Sequence, residues 1–344
     1  LLGGVGLAAA RPILVLLGAD AEVLPLGLAY LRVAFVGVFT LVLSFVINSM
    51  LRGAGEARWS MRVMILSTVT TVFMEPVLIL GLGPLPSLGV VGSAWAFVLG
   101  YGAGLILQVV ILVQGRTRLR IHLRHLRPDL SIMKQIIGIA LPSTVQMTLR
   151  SSSRLAILAL VGFYGTFATA GYGVANRLLL IALIPCFGLG NAASTLVGQK
   201  LGAGQPERSE QSAWWVSAYA AGYMAVAAVL LTLFAPSLIA LFDPTPQVVA
   251  YGAQCLRLVA WSEVASAIGV VLARSFGGAG NTVPAMGINL LSLWGVEVAL
   301  AWALSRGLGW GVTGVWWGRT VANLANGLLF GLWFRRGRWK QKDV

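Results

Sequence analysis

The sequence predicts an all-α membrane protein that crosses the bilayer about ten times. The chain has 344 residues, of which 58% are hydrophobic and only 10% are charged, and its mean hydropathy is +0.84. Because soluble domains are about 25% charged, this composition excludes a soluble enzyme. The apolar residues also form runs along the whole chain, which excludes a soluble domain held by a single anchor.

Each of ten apolar runs can cross the hydrocarbon core, which takes about 20 residues in a helix. Backbone polar groups in lipid must be satisfied within the protein, and the runs show no strict alternation, so we expect helices rather than a barrel. The first run begins inside an apolar stretch, and we expect it to lack its start. In chain order the runs cover 1–18, 25–51, 62–82, 89–113, 133–162, 171–198, 211–241, 249–276, 283–304 and 311–333.

The connections between the runs alternate between basic and non-basic segments. Because the positive-inside rule places basic segments in the cytoplasm, we expect a cytoplasmic C-terminus. The net charge of +14 belongs to these segments, so we expect the lipid bilayer and no nucleic acid as partner. Trp59, Trp310 and Trp339 lie near loop ends and are expected in the interfacial aromatic belt. The basic segments hold most of the 25 Lys and Arg residues and lie at 52–62, 116–134, 200–208, 274 and 335–342.

The chain resembles itself at an offset of about 225 residues. LRGAGEARWSM at 51–61 matches FGGAGNTVPAM at 276–286, whereas 133–225 has no partner. Repeated halves are typical of secondary transporters, which bind their substrate between two helical bundles. If the halves are equal, two more helices precede the first residue. The complete protein then has twelve transmembrane helices in two lobes related by a parallel repeat, and ten of them are present here.

The repeat and the basic segments predict four parts of the chain. They are an N-terminal lobe at 1–115, a basic cytoplasmic connector at 116–132, a C-terminal lobe at 133–334 and a basic cytoplasmic tail at 335–344. His122 and His125 lie in the connector without Cys or carboxylate neighbours. Cys186 and Cys255 lie in apolar stretches. We therefore expect no metal site.

Several motifs together resemble the multidrug and toxic compound extrusion (MATE) transporters. The resemblance covers the chain as helices three to twelve of that fold, without the family's first two helices. It implies two MATE-type lobes around a central cavity, in a monomer in the bacterial plasma (inner) membrane. It also implies an antiporter that exports organic cations or drugs in exchange for H⁺ or Na⁺, with no other cofactor. The motifs are the turns at 52–61 and 277–286, MEPVLILGLGPLPSLGVVGSAWA at 74–96, the segment 141–178, and NAASTLVGQKLGAGQPERSEQSA at 191–213.

Three carboxylates lie within the predicted spans and are candidates for ion coupling. Glu75 precedes Pro76, and the pair resembles the family's Asn-x-x-x-Asp-Pro motif with Thr71 in place of Asn, so the identity of the ion stays open. Glu297 lies one helical turn from the repeat equivalent of Glu75. Glu263 lies about one turn from an acid that some family members carry. The alternative for each is a structural pair with an interior arginine.

Polar residues within the spans are candidates for the substrate cavity. Gln146 and Asn191 can donate hydrogen bonds to a substrate, although polar contacts between helices are the commoner use. Arg150 lies four residues before Arg154 and is a candidate counter-ion for a carboxylate, with snorkelling as the alternative. These are the candidate cavity residues.

An enzyme is not expected. The only two His lie in the connector, and no Asp lies within a predicted span. The nearest alternative function is a lipid-linked oligosaccharide flippase of the same superfamily, which favours a strongly cationic cavity. Here the interior acids are comparable in number to the interior arginines, which favours export of organic cations.

Overall fold

The computed structural model describes residues 2–16, 23–83, 86–117 and 129–341, and these residues form helices and short turns without strands. The predicted all-α class is therefore confirmed. The chain divides into two compact units, Leu1–Arg127 and Pro128–Val344, and the division lies within the predicted connector 116–132.

The N-terminal unit contains α1 (Leu2–Leu16), α2 (Val23–Gly53), α3 (Ala57–Leu80) and α4 (Val90–Val113). The C-terminal unit begins with α5 (Leu130–Gly162), α6 (Thr166–Gly202), α7 (Pro206–Leu233) and the short α8 (Ala235–Ala240). It continues with α9 (Pro246–Val259), α10 (Glu263–Gly278) and α11 (Thr282–Asn289). A π-helix (Leu290–Val298), α12 (Ala299–Trp302) and a second π-helix (Ala303–Gly307) extend α11 without a break. The unit ends with α13 (Val312–Arg335) and a 3₁₀ turn (Arg338–Gln341).

Within the described residues, six helices are long and apolar enough to cross a membrane, and the bent pair of α9 and α10 makes a seventh. α1 is apolar but shorter. α5 and α13 have 33 and 24 residues and are long enough, but they are less apolar because they carry polar and charged side chains such as Arg150 and Arg319. The ten predicted runs therefore correspond to helical segments in the predicted order.

Two runs depart from the single straight helices that periodicity predicts. The run 249–276 forms α9 and α10, which meet at an angle of 59° at residues 260–262. The run 283–304 is continuous, but it widens into π-helix at 290–298 and 303–307. π-Helical turns inside α-helices are rare and are frequent at functional sites. Both departures lie in the part of the C-terminal unit that carries buried charges.

In the N-terminal unit, small residues of α4 bring this helix close to α3. A Cβ atom on Gly100 would lie 1.9 Å from the Thr71 hydroxyl, and one on Gly104 would lie 2.0 Å from the Ser67 hydroxyl. Gly92 is equally close to the carbonyl of Leu78. Such spacing of small residues lets helix backbones approach in a membrane, where apolar burial alone drives little association.

The structure shows the repeat and shifts its register. Gly55 and Gly280, which are 225 residues apart, both end a helix with positive φ, at 84° and 66°. Further along, the Ser67–Gly104 contact recurs as the Asn289–Asn326 contact, with both partners 222 residues later. At this offset Glu297 is the direct equivalent of Glu75. The prediction that it lies one turn away was wrong, because the loop after α3 is longer than the loop before α13.

An aromatic cluster closes the basic end of the C-terminal unit. Trp339 is only 1% exposed, stacks on Phe334 with 4.5 Å between ring centroids, and donates its indole N–H to the Phe334 carbonyl. Its expected place in an interfacial belt was wrong, because the tail turns back onto Phe276 and Phe334. The next residue, Lys340, bonds to Glu210 and Glu207 at the start of α7, and these hydrogen bonds raise the pKa of its ammonium group.

Candidate functional site

A polar cavity lies inside the C-terminal unit, between α5, α6, α10, the first π-helix and α13. Its volume is about 60 Å³, which holds a small ion or a few water molecules. A pocket that encloses a drug-sized ligand measures about 300–1,000 Å³, so this cavity is too small for a whole drug. Its polar lining residues are Arg150, Ser153, Arg154, Tyr172, Glu263, Ser266, Asn289, Glu297, Arg319, Asn323 and Asn326.

Glu263 and Arg319 form a buried ion pair at this cavity. The Arg319 guanidinium lies 3.0 Å from Glu263 Oε1, and the two side chains are 13% and 3% exposed. Arg319 also donates to Asn176 at 2.9 Å, and Asn323 donates to Glu263 at 3.2 Å. Glu263 is the first residue of α10 after the bend, so its carboxylate starts at the positive end of a helix. For Glu263 the geometry matches the structural alternative, a pair with an interior arginine.

Glu297 lies in the first π-helix and has a different environment. Its Oε2 accepts a hydrogen bond of 3.0 Å from the Ser153 hydroxyl on α5. Among the described residues, no basic side chain lies within salt-bridge distance of Glu297, and the same holds for acids around Arg150. The cavity thus contains one closed ion pair, one serine-bound carboxylate and one half-buried arginine without a salt bridge.

Two buried amides complete the cavity wall. Asn326 Nδ2 donates to Asn289 Oδ1 at 3.2 Å. Asn289 is fully buried, and its own Nδ2 has no hydrogen-bond partner among the described residues. Gly269 makes room for this pair, because a Cβ atom there would lie 2.4 Å from Asn326 Oδ1.

In the N-terminal unit, Glu75 is half-buried on α3, which runs through Pro76 without a break. Its Oε1 accepts a hydrogen bond of 3.2 Å from the Ser93 hydroxyl on α4. Within the described segments, no Lys or Arg lies within salt-bridge distance of this carboxylate. Glu75 therefore resembles Glu297 in position and in its serine partner.

The predicted cavity residues are distributed over several places. Arg150 lines the cavity of the C-terminal unit, whereas Gln146 and Asn191 are half-buried and do not line it. Sequence reasoning missed Asn176, Ser153 and Asn289. Part of the wall had a readable signal: Arg319, Asn323 and Asn326 are spaced by four and three residues and therefore share one face of α13. Nothing in the sequence linked that face to Ser153 or Asn289.

A family model described as MatE matches residues 1–77 and 142–303, which together exceed half of the chain. The chain belongs to the MatE family. It is 28% identical over 338 residues to the probable multidrug resistance protein YoeA of Bacillus subtilis, a match that covers 96% of this chain and 72% of the relative. It is also 28% identical over 320 residues to the probable multidrug resistance protein NorM of Thermotoga maritima, with 92% and 68% covered.

Solved structures agree with this assignment. A MOP superfamily transporter from Pyrococcus furiosus superposes with a TM-score of 0.91 at 25% identity, over 99% of this chain and 76% of that one. The fold of this MatE protein is therefore that of MATE transporters, as the sequence motifs predicted. The named relatives are membrane transporters, and none is named as an enzyme.

Proposed function

We propose that this MatE protein is an antiporter that exports organic cations or drugs in exchange for H⁺ or Na⁺ by alternating access. In this proposal it is a monomer in a bacterial plasma membrane with its C-terminus in the cytoplasm. The observation that carries the proposal is the matched pair of interior carboxylates. Glu75 and Glu297 lie at equivalent positions of the repeat, and each accepts a serine hydroxyl rather than a basic partner among the described residues.

The environment of these carboxylates suits ion coupling. A charged side chain at the centre of a bilayer costs about 2.5–3.5 kcal/mol even on the lenient insertion scale. A carboxylate without a fixed counter-ion can recover that cost by taking up H⁺ or Na⁺. A serine hydroxyl holds it in place without neutralising it. Glu75 and Glu297 can therefore exchange an ion, whereas Glu263 already has a permanent counter-ion in Arg319.

Coupled export follows if ion binding and drug binding favour different conformations of the transporter. Glu75 and Glu297 are the proposed coupling residues, and Glu263 contributes by positioning Arg319. Gln146 and Asn191 stay candidates for substrate contact. The relatives named as multidrug resistance proteins support export of drugs, and they do not favour the oligosaccharide flippase.

The test replaces Glu75 by Gln in the full-length protein. Gln keeps an oxygen that accepts the Ser93 hydroxyl, but it cannot ionise, so Glu75→Gln should keep its expression level and melting temperature. Export of ethidium from membrane vesicles, driven by a pH or Na⁺ gradient, should fall by at least about tenfold. Asp243→Asn is the matched control, because Asp243 is an exposed carboxylate in the loop before α9 and should leave export unchanged.

Ethidium export by Glu75→Gln at the wild-type rate, with the same ion dependence, would show that the coupling role is wrong. A lower melting temperature with a matching loss of protein would instead indicate a structural role for Glu75.

A further inference from the structure

The charges around the cavity of the C-terminal unit do not balance. Three arginines and two glutamates line it. Arg319 is matched by Glu263, and Glu297 is held by Ser153. Arg150 and Arg154 therefore face a single remaining carboxylate, and the lining carries a formal charge of +1. A buried region with an uncompensated positive charge favours an anion.

Arg150 is the arginine best placed to bind that anion. It is half-buried, it lines the cavity, and it forms no salt bridge within the described part of the chain. A guanidinium group presents five N–H donors in a rigid plane, which match the two oxygens of a carboxylate or phosphate. Arg154 lies one turn further along α5 and adds a second positive charge on the same side of the helix.

Asn289 supplies a second and independent observation. It is fully buried and lines the same cavity, and its carbonyl oxygen is already occupied by Asn326. The remaining group is the amide Nδ2, a donor with no partner among the described residues. Because a buried donor without an acceptor costs about 1–3 kcal/mol, this atom also calls for an acceptor. Both observations point to a group with negatively charged oxygens.

We propose that this cavity binds the carboxylate or phosphate group of a water-soluble molecule, with Arg150 as its principal partner and Asn289 as a further donor. The cavity of about 60 Å³ accommodates such a group but not a whole drug. This inference rests on the proposed function in one respect, namely that the molecule is a transported solute. Its substrates then include zwitterions and anions besides organic cations.

The depth of Arg150 favours a solute over a lipid headgroup. Arg150 lies twelve residues before the end of α5 at Gly162, which is about 18 Å along the helix, and about 30 Å from the start at Leu130. The hydrocarbon core is about 30 Å thick, so both ends of α5 lie far from Arg150 on the scale of the membrane. A headgroup would have to leave its own layer to reach it.

The experiment measures binding of inorganic phosphate and acetate to the purified full-length protein in phosphatidylcholine nanodiscs, at constant ionic strength with chloride as the balancing ion. Phosphate or acetate should raise the melting temperature in a saturable way, and calorimetry gives the Kd. Arg150→Gln should raise that Kd by at least about tenfold, and Arg150→Lys should lie in between. Arg257→Gln is the control, since Arg257 lines a different cavity of the same unit, and its Kd should match the wild type.

Absence of saturable binding to the wild type, or equal binding by Arg150→Gln, overturns the proposal. Because Arg150→Lys keeps the positive charge in place, it supplies a folded variant if Arg150→Gln does not fold. A second set of nanodiscs contains phosphatidylglycerol. If that lipid abolishes phosphate binding, the occupant is a headgroup and the assignment to a soluble molecule is wrong. Neither assay uses drug or an ion gradient, so failed ethidium export with intact phosphate binding counts against the proposed function alone.

Discussion

Replacement of Glu263 by Gln should destabilise the C-terminal unit through the charge that it leaves behind. Gln keeps the size of Glu and one acceptor oxygen, but Arg319 would become a buried cation without a counter-ion at 3.0 Å. Breaking a buried pair in this way costs about 3–5 kcal/mol. We expect the lower end, about 3 kcal/mol, because Arg319 retains its hydrogen bond to Asn176. For a domain of this size that corresponds to a fall in melting temperature of about 6–12 °C.

The chain carries its own reporters for this measurement. Cys186 and Cys255 are free and fully buried, so a thiol-reactive fluorescent dye labels them only when the C-terminal unit unfolds. The double variant Glu263→Gln/Arg319→Met removes both charges and should recover most of the loss. Glu207→Gln is the control, because Glu207 is 77% exposed and its contact with Lys340 should matter little.

Two results would refute this reasoning. One is a melting temperature of Glu263→Gln within about 2 °C of the wild type, which is less than the effect of 1 kcal/mol. The other is a double variant that is less stable than Glu263→Gln, because the charge on Arg319 would then not be the source of the loss.

Two further predictions concern packing. Gly100→Leu should destabilise the N-terminal unit by at least about 1–3 kcal/mol, since its Cβ would overlap the Thr71 hydroxyl, whereas Gly102→Leu faces open space and should fold normally. Resistance of the purified protein to unfolding by SDS compares them, and equal resistance would contradict the close approach of α3 and α4. Trp339→Ala should cost about 3–5 kcal/mol in the thiol-dye assay because Trp339 is buried, whereas Trp310→Ala, at a position that is 52% exposed, should have little effect; similar losses from both would be unexpected.

The sequence predicted the helices well because a bilayer imposes length and apolarity on every span. It also predicted that Glu75 and Glu297 are related, because the Gly-containing turns at 55 and 280 set the frame of the repeat. The register was wrong by three residues because a turn fixes the alignment only up to the next loop of different length. A comparison of the small residues of α4 with those of α13 would have corrected it.

The bend at 260–262 and the π-helical turns could not be predicted in the same way. Residues in these segments are apolar and compatible with a regular helix, and no proline or glycine pair marks the break. The pairing of Glu263 with Arg319 joins residues 56 positions apart, and helical periodicity carries no information over that separation. Such contacts become visible only when the helices are placed side by side.

The aromatic cluster at the basic end has a mechanical consequence. Its buried residues come from α6, α7, α10, α11, α13 and the tail, and Lys340 adds a link to the first turn of α7. Separating any of these segments would require pulling Trp339 out from between Phe334 and its neighbours, so the helix ends there are riveted into one plate. Any bending within this unit must therefore occur away from the plate. The three residues between α9 and α10, where the helix is already broken beside Glu263, form the natural joint.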